Sequence, residues 1–126
     1  MNNLSKGILN LNFVTITEND AGASGGGLSN LPEGSLKLQN SILGGNIDID
    51  FGAPNCAGSI TSLGYNLVQN PEGCGYMPLE SDILNEDPWL IPMSDVGYGS
   101  LFYALWVVSP AIEHIPSGEN GCGTGK

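Results

Sequence analysis

The sequence contains no arginine, and its three lysines and single histidine face 13 aspartates and glutamates, for a formal net charge of −10. A chain so short of cations repels phosphate backbones and anionic lipid headgroups, which makes nucleic acid and acidic membrane surfaces poor partners. A divalent cation, a neutral glycan or a surface protein stays compatible. Charge of either sign is scarce: charged residues make up 13%, about half of the usual ~25%. Long apolar runs are missing too. The longest, Leu101 to Val108, is eight residues, and a membrane helix needs roughly 20. No basic segment leads into an apolar run, so an export signal is expected upstream of Met1.

Glycine, with 19 residues, is abundant, and asparagine and serine accompany it. That composition reads as short strands joined by tight turns rather than as helix. The strands repeat at an offset of 27 residues. Asn3-Leu4-Ser5-Lys6-Gly7-Ile8-Leu9-Asn10-Leu11 aligns with Asn30-Leu31-Pro32-Glu33-Gly34-Ser35-Leu36-Lys37-Leu38, and Asn19 aligns with Asn46. The identities fall at turn and core positions.

Within each unit, apolar and polar residues alternate with period two, the signature of a half-buried strand. Leu9 and Leu11 alternate with Asn10 and Asn12; Phe13 breaks the pattern as a corner; Val14 and Ile16 resume it. In the next unit Asn40 takes the corner between Leu36/Leu38 and Ser41/Leu43. A looser third unit follows through Ile60, Ser62 and Gly64-Tyr65-Asn66-Leu67. Strands that recur without hairpin turns stack in parallel, which predicts an all-β right-handed parallel β-helix, a short β-solenoid. A hairpin sandwich is disfavoured, because no Asn-Gly turn separates paired strands. One domain is expected, with coils over 1–75 and a terminal coil and cap over 76–126. The first unit starts inside a repeat, so Leu4, Ile8, Leu9 and Leu11 are expected at an open N-terminal edge suited to homo-oligomer pairing.

The segments Gly25-Gly26-Gly27-Leu28-Ser29-Asn30, Gly34 to Ile42, Cys56-Ala57-Gly58, Ser62 to Leu67, Cys74-Gly75-Tyr76, Asp82 to Leu90 and Ser109-Pro110-Ala111-Ile112 together resemble the C-terminal coils of large bacterial surface β-helix proteins. These are the polymorphic-outer-membrane-protein-like and choice-of-anchor types. The resemblance implies a right-handed β-helix displayed or anchored at the cell surface, and it implies no defined reaction. Where that family continues Ser-Pro-Ala-Ile with Asp-Ala-Gly, this chain has Glu113-His114-Ile115.

Several residues qualify as sites, each with a plainer reading. Asp48 and Asp50 alternate with Ile47 and Ile49, which places both carboxylates on one strand face. Such a pair suits Ca²⁺ or glycosidase chemistry; the plainer reading, a solvated outer face, is favoured. Asp82, Glu86 and Asp87 read as loop acids accepting backbone hydrogen bonds, with a cation site as the sharper alternative. The lone His114 has no triad partner at recognisable spacing. Gly25-Gly26-Gly27 lacks the spacing of a phosphate cradle and reads as a turn. Cys56 and Cys74 flank the third unit, and a structural disulfide there contributes about 3 kcal/mol in the loop-entropy model; Cys122 is then the odd thiol. The late aromatics Tyr76, Trp89, Tyr98, Phe102, Tyr103 and Trp106 read as a cap over the solenoid end, with sugar stacking as the alternative.

The function expected from sequence is therefore a non-catalytic structural or adhesive module of an exported cell-surface protein. The alternative is a carbohydrate-active β-helix, binding or degrading glycans. No cofactor is required, and Ca²⁺ is the candidate ion.

Overall fold

The structure, a computed structural model, describes residues 1–4, 6–49, 52–95 and 101–123. No helix forms among them, and the all-β expectation holds. The strands are short and group into four successive tiers. The first holds β1 (Asn2–Asn3), β2 (Ile8–Asn12), β3 (Thr15–Ile16) and β4 (Asp20–Ala21). The second holds β5 (Leu28–Asn30), β6 (Ser35–Gln39), β7 (Ile42–Leu43) and β8 (Ile47–Asp48). The third has β9 (Cys56–Ser62) and β10 (Leu67–Val68), and the fourth has β11 (Cys74–Met77) and β12 (Ile83–Leu84).

All pairing between tiers is parallel. From the first tier to the second the register is 27 residues throughout: Asn3 faces Asn30, Leu9 faces Leu36, Ile16 faces Leu43 and Ala21 faces Asp48. The tiers then shorten. Leu28 faces Cys56, but Leu38 faces Ser62, because β9 runs straight through where β5 and β6 are separated by a turn at 31–34. Gly58 sits at that shortcut with φ +81°, and a Cβ there would overlap the Asn30 carbonyl oxygen. Only glycine accepts both demands.

The corner residues carry a second repeating constraint. Phe13, Asn40 and Tyr65 lie between the same two strand positions in successive tiers, with φ of +54°, +51° and +58°. Asparagine tolerates this left-handed geometry, whereas phenylalanine and tyrosine are strained there. Inside the corners the core forms columns: Ile16, Leu43, Val68 and Leu84 stack in register, and Leu9 stacks on Leu36. Leu36, Leu38, Leu43, Ile60 and Val68 are buried, while Leu9 and Leu11 on the outermost tier are only half-buried.

β13 (Leu90–Asp95) and β14 (Leu101–Leu105) pair antiparallel, the one antiparallel pair among the described residues. They and the turns after them lie along the side of the tiers. Tyr103 Oη donates to Glu18 Oε2 at 2.5 Å, Asn120 Nδ2 donates to Asn40 Oδ1 at 3.3 Å, and His114 Nε2 lies 2.6 Å from the Ser81 carbonyl. Leu67, outside the inner core cluster, is nevertheless buried, because Leu105, Ala111 and Ile115 line the same 90 Å³ cavity over it. The segment is thus a lateral strap. It covers apolar surface on the outside of the second and third tiers, where Ile42 and Leu67 line the cavity.

Candidate functional site

Alternation along 46–49 runs opposite to the sequence reading. Asp48 is fully buried, while Ile47 and Ile49 are exposed. The solvated outer face assigned to Asp48 is corrected on that ground; Asp50 lies outside the described residues. The inversion has a local cause. Asn46 precedes the strand and is held inside by a polar network, so the strand that follows must turn Asp48 inward as well. Asp48 Oδ2 then accepts the Ala53 backbone N–H at 2.7 Å, closing the loop that leads to β9. In the neighbouring tier Asp48 faces Ala21, and its Oδ1 is buried with no hydrogen-bond partner among the described residues.

The network around Asn46 was not foreseen from sequence. Asn46 Nδ2 donates to Ile16 O at 2.9 Å and to Asn55 Oδ1 at 3.0 Å, and its Oδ1 accepts Asn19 Nδ2 at 2.9 Å. Asn3 Nδ2 donates to Asn30 Oδ1 at 2.8 Å, and Asn30 Nδ2 reaches Ser59 O at 2.7 Å. Asn66 is fully buried, donating to Leu38 O and Ser62 Oγ and accepting from Ser41 N. These amides link one tier to the next, since each offers a donor and an acceptor along the stacking direction. The available signal was the identity of Asn3 with Asn30 and of Asn19 with Asn46 at the 27-residue offset.

Asp82 is engaged in the same manner. Oδ1 accepts Asn66 N at 2.9 Å, and Oδ2 accepts Leu79 N at 2.9 Å and Tyr76 Oη at 3.1 Å. Burial pushes the Tyr76 phenol well above its ordinary range and the charge of Asp82 adds to it, so this hydroxyl remains a donor. Asp87 Oδ1 accepts Trp89 N at 2.7 Å, and Glu86 is exposed. Among the described residues no three of His, Cys, Asp and Glu gather as metal ligands.

Cys56 and Cys74 are joined by a disulfide with Cα atoms 5.3 Å apart, and Cys122 is a free thiol in the final turns. His114 packs edge-on against Tyr65, with centroids 5.9 Å apart, which fixes the strap at the corner of the third tier. Gly25 and Gly27 donate their N–H groups to the carbonyls of Ala53 and Pro54, and a Cβ on Gly26 would overlap Ile47 O and Pro54 O. The glycine run is therefore close packing between chain segments. Of the late aromatics, Tyr76 packs on the core, and Tyr103 is latched to Glu18. Trp89, Phe102 and Trp106 are about half exposed, and Tyr98 lies outside the described residues. No family model, curated protein or solved structure matches this chain.

Proposed function

We propose that the chain is a right-handed parallel β-helix serving as a non-catalytic structural or adhesive module of an exported cell-surface protein. The observation that supports this reading is the use made of its polar side chains. Asp48, Asp82, Asn46 and Asn66 each bond to backbone or to the amide of a neighbouring tier. Carboxylates tied to backbone N–H groups stabilise the chain's own path; a general acid or base needs a reach toward substrate. The Cys56–Cys74 disulfide supports an oxidising compartment.

A second reading, a carbohydrate-binding β-helix, is favoured by the exposed Trp89 and Trp106, whose faces suit the apolar side of a sugar ring. The test is reducing-sugar release from a panel of plant and bacterial polysaccharides, with and without Ca²⁺, using the whole chain. No release is expected. Release by the unaltered protein that vanishes in a folded Asp48→Asn variant would overturn the non-catalytic reading.

A further inference from the structure

The lateral strap has two faces of different chemistry. Along β14, Tyr103 reaches Glu18 and Leu105 lines the cavity over Leu67, so these alternate residues face the body. Phe102 and Trp106 alternate with them and stand exposed, Trp106 by 54%. Trp106 N donates to Trp89 O at 2.8 Å across the strands, and Trp89 is 52% exposed. Val107, 82% exposed, continues the apolar surface into the next turn. Two tryptophans opposite one another each leave about half of their surface to solvent, and clustered exposed aromatic surface marks interaction sites.

Charge selects the occupant. Glu86 and Asp87 immediately precede this surface and are exposed, and Asp87 is hydrogen-bonded to the Trp89 backbone. Carboxylates beside exposed indoles attract cations twice over, through charge and through the ring faces. A second copy is a poor match. It has no arginine and only three lysines to offer, and a symmetric contact would set Glu86 and Asp87 against themselves. Anionic lipid is repelled by the same carboxylates and by the net charge of −10. A neutral glycan could stack on the rings and would leave the carboxylates without a counter-charge.

We propose that the outward face of the strap, centred on Trp89 and Trp106, docks an arginine-bearing basic segment of a partner protein. Guanidinium is planar and weakly hydrated, so it stacks on indole while its N–H groups bond carboxylate. Such a partner would give the adhesive reading a target, although the docking rests on the strap face alone and survives if that reading fails.

The probe is an octa-arginine peptide titrated against the whole chain at physiological ionic strength, read by calorimetry and by shielding of tryptophan fluorescence from a neutral quencher. Saturable binding with shielding is expected in the unaltered protein. Trp106→Ala and Trp89→Ala should each weaken it by about tenfold, and Glu72→Gln on another turn by less than about twofold. Shielding is measured on the unaltered chain, so a variant that fails to fold leaves the test intact. Four results would overturn the proposal. They are no binding; binding that depends on total charge and ignores both tryptophans; tryptophan-dependent binding of a neutral glucose hexasaccharide without binding of the peptide; and self-association abolished by Trp106→Ala.

Discussion

Replacing Asn46 tests whether the tier-to-tier amides determine the fold's stability or merely decorate it. The side chain is buried, and it donates to Ile16 O and Asn55 Oδ1. Its Oδ1 accepts from both the backbone N–H and Nδ2 of Asn19, which is exposed, so water can replace those bonds in a variant. Two buried bonds at about 1 kcal/mol each, plus incomplete satisfaction of the acceptors left behind, give Asn46→Ala an expected cost of about 3 kcal/mol. Asn46→Asp keeps the size but points an anion at two acceptors, so at neutral pH it should cost more than alanine. Protonating the introduced carboxyl restores a donor. Its folded pKa is thereby raised above the unfolded value, so the recovered stability is fully present below the unfolded pKa and is lost as pH rises through the folded one. Urea denaturation at several pH values, each referred to the unaltered protein, reads this directly. An alanine variant within about 0.5 kcal/mol of the parent, or an aspartate variant whose deficit does not shrink toward acid pH, would show that the amides are dispensable.

Phe13→Asn copies the corner residue of the next tier, Asn40, and relieves a left-handed phenylalanine that is exposed. A gain of about 1 kcal/mol is expected in chemical denaturation, and a loss would mean that the ring's buried part outweighs its strain. Reduction of Cys56–Cys74, or its replacement by paired alanines, should lower stability by about 3 kcal/mol. A non-reduced digest that linked Cys56 to Cys122 would refute that pairing. The hydrogen bond to Glu18 raises the Tyr103 pKa. The latch is therefore intact below the ordinary tyrosine pKa and is lost as pH rises through the raised value. Protection of β14 amides, measured against the intrinsic exchange rate at each pH, should fall there, and Tyr103→Phe should remove that fall.

Much of the tiered architecture was legible because it is written in short-range alternation and one long offset. The 27-residue spacing is the pairing register of eight strands, and the corners at Phe13 and Asn40 were visible as breaks in period two. The face of Asp48 was misread because a carboxylate flanked by isoleucines reads as outward whenever burial is judged one residue at a time. What turned it inward was Asn46, whose partners Ile16 and Asn55 are distant or out of pattern in sequence. The shortening of later tiers erased the 27-residue signal, so Asn66 carried no visible mark of its role. The strap was unreadable for a different reason. Its contacts to Glu18 and Asn40 span 85 and 80 residues, and nothing in local periodicity encodes whether aromatics cover an end or a side.

The strap also changes how this chain comes apart. A stack whose layers touch only their neighbours unravels from its ends, one layer at a time, each loss a small and independent event. Here β14 grips the first tier through Glu18, and the turns after it grip the second through Asn40 and the third through Tyr65. A peripheral layer that leaves must also break a contact to the strap, which couples end-fraying to the rest of the stack. The same closure delays assembly, because contacts between residues 18 and 103 must await most of the chain, and folding driven by such distant pairings is slow. Cooperativity and slow folding therefore draw on the same long-range contacts of the strap, Tyr103 to Glu18 among them.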